Sequence, residues 1–359
     1  MLLNGILPPI TTPFYPDGKV YYKKLEHNVD RYSKTPVSGI VVQGSSGEAV
    51  MLSDDEKREV MRVAIAAAAP EKVMIAGCGL ESASETLRLI EYAASLDYDA
   101  AMIRTPHFYK SQLKPENMMA YYRFVADRSP LPVIIYNFPQ ATGYDIPAEV
   151  VIELSQHPHI VSIKESSGSI EKVKQMVDGT RTVKRSATVT DRFEPVTTRM
   201  LKRANSIPAG ELVPAAALVG SSGTSVTAKP SSSAVQLVGN LKTRQKEVGF
   251  QVLVGSAQKL LASLEIGAVG AILAFADPAP TACYEIYAAY KDGDKKLAQE
   301  KQERIAQPAT RIVGELGIPG VKHAMDLNGY YGGNGRLPPL PLLAETKAEI
   351  ENLMENIKN

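Results

Sequence analysis

Eight short apolar runs recur through the chain, at residues 5–11, 39–42, 73–76, 100–103, 133–136, 160–164, 251–254 and 268–273. Most are apolar at consecutive positions, so both faces are buried, the pattern of parallel strands covered by helices. The stretches between them carry helix signals. Ser53-Asp54-Asp55-Glu56 is a capping box, in which the serine oxygen takes an orphan amide and the glutamate reaches back. That pattern continues through Met61, Val63 and Ile65 to Pro70, and Ser82-Ala83-Ser84-Glu85 repeats the device before Leu87, Leu89, Ile90 and Ala93. Eight βα units in one chain predict an α/β protein with a closed (β/α)₈ TIM barrel. The competing fold, an open doubly wound sheet, is disfavoured because no Gly-x-Gly-x-x-Gly loop follows the first run.

The rhythm stops between residues 183 and 239. Arg199-Met200-Leu201-Lys202-Arg203 reads as a short helical turn, whereas Gly220-Ser221-Ser222-Gly223-Thr224-Ser225 and Pro230-Ser231-Ser232-Ser233 read as flexible linker. The segment has seven basic and three acidic side chains, a net +4. A structureless loop longer than about 15 residues is unusual inside a compact domain, which marks this one as an insertion, mostly disordered. It falls between the sixth helix, at 170–177, and the seventh strand. An αβ connection lies on the N-terminal face of a barrel, away from the chemistry, so the insertion is expected to be dispensable for catalysis. The expected organisation is a catalytic barrel over residues 1–182 and 240–300, the insertion at 183–239, and a C-terminal helical extension at 301–359.

With 44% hydrophobic residues among 359, the chain can bury a large core. Forty basic against 39 acidic side chains give no reason to expect a nucleic-acid or membrane partner. Cys78 and Cys283 are too few for a disulfide framework and suit a reducing compartment. No run of about 20 apolar residues suggests a membrane span. No signal or presequence pattern opens the chain, which points to the cytoplasm, or to a mitochondrion if a presequence was removed.

Chemistry gathers where the runs end. Lys164 closes the sixth, Tyr136 closes the fifth, and Gly44-Ser45-Ser46-Gly47-Glu48 follows the second. A lysine ending a strand is ordinarily a solvated charge. At the mouth of an apolar barrel a lysine is partly desolvated, which favours the neutral amine, the form that attacks a carbonyl. The iminium that results is an electron sink, so the adjacent carbon can lose a proton and become an enamine. A tyrosine one strand away can move protons in those steps. Ser45 and Ser46, set between glycines, offer hydroxyls and amides for a carboxylate. Glu48 leads towards the helix capped at Ser53 and can organise the loop. Tyr109, after Thr105-Pro106-His107-Phe108, is a second phenol near the mouth. His27, His107, His157, His159 and His323 form no metal-ligand pattern, and neither a metal nor a cofactor is expected. Arg336-Leu337-Pro338-Pro339-Leu340-Pro341 reads as a rigid linker into the last helix.

Together, the Gly44–Glu48 loop, Tyr136-Asn137-Phe138-Pro139 with Thr142-Gly143, and Ile163-Lys164-Glu165-Ser166-Ser167-Gly168 resemble the dihydrodipicolinate synthase/N-acetylneuraminate lyase family of class I pyruvate-dependent aldolases. The resemblance runs from Gly5 to about Leu340, interrupted by the insertion. It implies that Lys164 forms the Schiff base, that Tyr136 relays protons, and that Ser45, Ser46 and Gly47 hold the keto-acid carboxylate. It further implies that Gly255 and Ile272 line the pocket, and that Tyr109 reaches a neighbouring subunit's site in a homodimer or homotetramer. The synthase branch carries an arginine two residues after the tyrosine motif's proline; here that position is Ala141. Gly255-Ser256-Ala257, Ile318-Pro319-Gly320-Val321-Lys322 and Gly329-Tyr330-Tyr331-Gly332-Gly333 look closer to 4-hydroxy-2-oxoglutarate aldolases. Asn137-Phe138-Pro139 and Gly47-Glu48-Ala49-Val50 also look like aldolases of 2-keto-3-deoxy-hexonates. The implied substrate is a small 2-keto-4-hydroxy acid. The alternatives are 4-hydroxy-tetrahydrodipicolinate synthesis and a catalytically silent barrel that binds a keto acid or a partner.

Overall fold

The computed structural model describes residues 1–206, 235–238 and 240–357. Six strands come first: β1 (Gly5–Leu7), β2 (Gly39–Val42), β3 (Val73–Gly77), β4 (Ala100–Arg104), β5 (Val133–Asn137) and β6 (Ile160–Glu165). Three more, β7 (Ser186–Thr190), β8 (Gln236–Val238) and β9 (Leu241–Glu247), lie apart from the barrel sheet. Then β10 (Gln251–Val254) and β11 (Gly270–Ile272) return to it. The eight barrel strands are parallel, in the order β1-β11-β10-β6-β5-β4-β3-β2. The seam between β1 and β2 is drawn together by Ser38 N donating to Ile6 O and Val41 N to Pro8 O, both at 2.9 Å. All eight expected strands are present, and the (β/α)₈ fold is the one expected. The first is shorter than its apolar run because Pro8 and Pro9 bring no amide to a ladder.

Side chains alternate in and out along each strand. Leu7, Val41, Ile75, Met102, Ile134, Tyr136, Leu253 and Ile272 fill the barrel, while Ile40, Ile103, Ile135, Ile163 and Val252 join the larger core under the helices. The Ser53 capping box forms: Glu56 N donates to Ser53 Oγ at 3.2 Å, and Ser53 N to Glu56 Oε2 at 2.9 Å. The second one does not; Ser82 Oγ instead pairs with Ser84 Oγ at 2.8 Å. Past the barrel, α11 (Lys295–Ala309), α12 (Gly317–Leu327) and α13 (Ala344–Met354) build the C-terminal extension, α11 crossing the boundary expected at residue 301.

The insertion corrects one expectation. Its described part is folded: β7 and β8 join β9, which lies just past the expected end at residue 239, in an antiparallel sheet, and α8 spans Thr198–Ser206. The βα rhythm broke because this sheet is antiparallel and largely polar, not because structure ended. Both linker-like runs lie at residues outside those described. The side of the barrel is the expected one. Arg185 donates to Ser155 O and His157 O, both at 2.6 Å, and Thr198 N to Asp99 Oδ1 at 2.7 Å. Arg199 donates to Ala68 O at 2.9 Å and to Lys72 O. Every acceptor sits just before β3, β4 or β6, at the strand N-termini. Asp99 also receives Met74 N at 2.9 Å, and burial raises its pKa against these two amides. Arg199→Ala is therefore expected to lower unfolding stability by about 1–3 kcal/mol, since it leaves buried carbonyls unpaired. It should leave turnover unchanged; denaturant melts beside steady-state kinetics check both, and a matching fall in kcat would contradict the assignment of this face.

Candidate active site

The register of β5 and β6 sets Tyr136 beside Lys164. Both face the barrel interior, and both are buried, at 4% and 5% exposure. Lys164 Nζ stands 4.2 Å from the centre of the Tyr136 ring, and Tyr136 Oη lies 3.1 Å from Ser45 Oγ. Amine, phenol and hydroxyl thus stand together at the strand ends. The strand ends that carry them are tied by Asn137, whose Nδ2 donates to both oxygens of buried Glu165 at 3.0 and 3.1 Å, while Ser167 N donates to Glu165 Oε1 at 2.6 Å.

The loop after β2 turns sharply between two residues in the left-handed region, Gln43 (φ 61°) and Glu48 (φ 52°). A Cβ on Gly47 would meet Ile10 O at 3.1 Å, a tight contact that glycine avoids. Thr12 Oγ1 donates to Gly47 O at 2.6 Å. Glu48 does organise the loop, through partners that sequence reasoning missed. Its carboxylate pairs with fully buried Lys322 of α12 at 2.5 Å and accepts Arg336 N at 2.9 Å. Lys322 Nζ also donates to Thr12 O at 2.9 Å and Asn334 O at 3.1 Å. Burial pulls the Lys322 pKa down, and the Glu48 carboxylate opposes that. The signal was a charge in an apolar stripe: Lys322 stands among Val321, Ala324 and Met325, all buried. The C-terminal extension therefore braces the hydroxyl loop.

A cavity of about 470 Å³ opens beside Ser45 and Tyr136, lined also by Lys57, Glu81, Arg104 and His107. Arg104 Nη1 lies 2.6 Å from His107 Nδ1 and 3.3 Å from Glu81 Oε1. Burial, and then the Arg104 charge, hold the His107 pKa below its ordinary value. Nothing in the sequence singled out these groups, which come from a strand end, two loops and a helix.

The other expected residues divide. Ser46 and Gly47 are buried in the hydroxyl loop, and Ile272 lies in the same barrel-filling cluster as Tyr136. Gly255 packs on the segment that follows Lys164: its N donates to Glu165 O at 2.8 Å, and a Cβ there would fall 1.9 Å from Ser166 Oγ. Neither Gly255 nor Ile272 lines the open cavity. Tyr109 is 64% exposed, stacked edge-on against Phe108, and is not brought to Tyr136 within this chain. Asp277, missed entirely, is fully buried, and burial raises its pKa well above the ordinary range, against the Lys164 charge and the Ser46 hydroxyl. Among the described residues no group of three His, Cys, Asp or Glu could hold a metal ion, and no helix is long and apolar enough to cross a membrane.

Comparison with known proteins adds three findings. The model of the dihydrodipicolinate synthetase family matches residues 2–189 and 222–357. A 4-hydroxy-tetrahydrodipicolinate synthase of Methanothrix thermoacetophila is 26% identical over 358 residues, covering 100% of this chain and 98% of its own; that of Xanthomonas campestris is 37% identical over 177 residues, 49% of this chain and 58% of its own. Among solved structures, a dihydrodipicolinate synthase of Bacillus anthracis superposes with TM-score 0.77 at 21% identity over all of both chains. YagE of E. coli, solved with pyruvate, does so with TM-score 0.75 at 24% identity over 99% of each.

Proposed function

The chain belongs to the dihydrodipicolinate synthetase family of class I pyruvate-dependent aldolases, and from that premise we propose that it cleaves a 2-keto-4-hydroxy acid, such as 4-hydroxy-2-oxoglutarate, through an iminium on Lys164. The observation that carries this reading is the buried Lys164 amine against the Tyr136 ring, with the Tyr136 hydroxyl 3.1 Å from Ser45 Oγ. The neutral amine adds to the 2-keto carbon, and loss of water leaves the iminium. Tyr136 gives its phenol proton to the hydroxyl that leaves as water, and as phenolate then takes the proton of the substrate's 4-hydroxyl. The C3–C4 bond then breaks, the aldehyde leaves, and its electron pair passes to the enamine. Protonation at C3 and hydrolysis release pyruvate and restore Lys164. Ser46 and the amides of its loop hold the keto-acid carboxylate. Tyr109 serves the neighbouring subunit's relay in a homodimer or homotetramer.

Lys57 and Arg104 put positive charge in the cavity beside Tyr136, which suits an aldehyde half with its own carboxylate, the glyoxylate end of 4-hydroxy-2-oxoglutarate. The names of the relatives favour a second reading, synthesis of 4-hydroxy-tetrahydrodipicolinate from pyruvate and its aldehyde partner. Ala141 counts against it, since no guanidinium stands where that branch carries its arginine. Rates with 4-hydroxy-2-oxoglutarate, a 2-keto-3-deoxy-hexonate and the synthase substrates decide between them. The expected result is the highest kcat/KM for 4-hydroxy-2-oxoglutarate. Faster synthase chemistry, or the hexonate as best substrate, would overturn the assignment.

A further inference from the structure

Arg104 ends β4, two residues after Met102, and the strand register sets it opposite Tyr136 of β5. Residues two apart on a strand share a face, and Met102 fills the barrel, so Arg104 stands at the barrel mouth on the side of Tyr136. Gly79 makes room for it: a Cβ there would fall 2.4 Å from Arg104 N and 2.9 Å from Arg104 Cγ. The contacts of the guanidinium run through one nitrogen. Nη1 lies 2.6 Å from His107 Nδ1, 3.3 Å from Glu81 Oε1 and 3.4 Å from Thr105 O. Glu81 does not close over the fork. Its Oε2 is held by His107 N at 2.9 Å and Phe108 N at 3.0 Å, its Oε1 lies 2.5 Å from His107 Nδ1, and only that oxygen meets Arg104. Arg104 Nε and Nη2 have no hydrogen-bond partner among the described residues, and neither is sealed from solvent. These two nitrogens form the planar edge that takes both oxygens of a carboxylate. Lys57, also in the cavity lining, is paired with Asp54 at 2.9 Å, and Ala141 brings no charge.

The proposed reaction fixes where a second carboxylate lies. Tyr136 takes the proton of the 4-hydroxyl, so C4 is held at that phenol. In a 2-keto-4-hydroxy diacid of five carbons the far carboxylate is bonded to C4, one bond beyond the carbon that Tyr136 serves. Arg104 is the neighbour of Tyr136 on the next strand, and both line one cavity. We propose that Arg104 determines specificity at this site, its Nε–Nη2 edge taking the C5 carboxylate of a short keto diacid. Glu81 and His107 hold Nη1, and with it the plane of the guanidinium, before substrate arrives. A fork fixed in advance loses little side-chain freedom on binding. A substrate with an uncharged group on C4 forgoes the contact and is selected against. The role of Arg104 rests on the aldolase reading, and its test separates the two.

The test compares cleavage of 4-hydroxy-2-oxoglutarate with that of 4-hydroxy-2-oxopentanoate, in which a methyl group replaces the C5 carboxylate. The full-length wild type should favour the diacid by roughly a hundredfold in kcat/KM, the scale of hydrogen bonds to a charged group. Arg104→Met, with folding confirmed by a thermal melt, should bring that ratio to within a few-fold of one, mainly through a higher KM for the diacid. Arg104→Lys keeps the charge without the fork and should hold an intermediate ratio. A purely structural role would slow both substrates alike and leave the ratio where it was. Pyruvate has no second carboxylate, so borohydride should still trap the Lys164 adduct in Arg104→Met. A wild-type ratio near one, or a ratio that survives in Arg104→Met, would overturn the role of Arg104 and leave the aldolase standing. No adduct on the wild type would overturn both.

Discussion

Lys164→Ala is expected to remove turnover altogether while leaving a folded protein. The Lys164 amine is the group that bonds covalently to the 2-keto carbon in the proposed reaction, and without it there is no iminium and no electron sink. Removal of a covalent nucleophile costs on the order of 10⁶-fold in kcat where it has been dissected, far more than loss of a proton-transfer group. The fold should tolerate the change, because Lys164 Nζ makes no hydrogen bond to the described residues and rests against the Tyr136 ring. Tyr136→Phe keeps that ring and removes only the hydroxyl 3.1 Å from Ser45 Oγ, so it should cost about a hundredfold. Steady-state kinetics with a circular-dichroism melt of each variant check the ordering. Activity in Lys164→Ala above a few per cent of wild type would be incompatible with this chemistry.

The second large effect is expected far from the reacting carbon. Lys322→Met should lower unfolding stability by about 3–5 kcal/mol, the scale for breaking a buried ion pair and leaving one charge uncompensated. The residue left behind is Glu48, at 6% exposure and in a left-handed backbone conformation, at the end of the loop that carries Ser45 and Ser46. Activity should suffer mainly as a higher KM for the keto acid, because the loop that grips its carboxylate loses its brace while Lys164 and Tyr136 keep theirs. Adding Glu48→Gln to Lys322→Met should recover part of the stability, since the stranded charge is gone. Denaturant melts of the two single variants and the double variant give the coupling directly. Additive losses would mean that the pair contributes nothing as a pair.

Sequence patterning carried the barrel well, for a physical reason. Parallel strands buried on both faces are short apolar runs, and nothing else in a chain of balanced charge looks like them. Lys164 and Tyr136 were legible as a pair because they end adjacent strands, and Ser45 because loops after strands gather at one mouth of the barrel. The insertion was legible in position but not in structure. In β9, Leu241-Lys242-Thr243-Arg244-Gln245-Lys246-Glu247, only Thr243 is buried, so the strand shows almost no apolar alternation. Lys322 and Asp277 were missed for a different reason. Each is defined by what tertiary packing sets around it: Lys322 by Glu48 and the carbonyls of Thr12 and Asn334, Asp277 by its full burial after the last barrel strand. A sequence can show a charge in an apolar stretch, but not which distant group will stand beside it. Tyr109 is the converse case, a residue chosen from a motif that this chain alone leaves exposed.

The central claim is a covalent bond between Lys164 and a keto acid. It is tested most directly by incubating the full chain with pyruvate, reducing with borohydride and mapping the modified peptide by mass spectrometry. The account predicts a single reduced pyruvyl adduct, on Lys164. No adduct on the folded protein, or an adduct confined to another lysine, would contradict it.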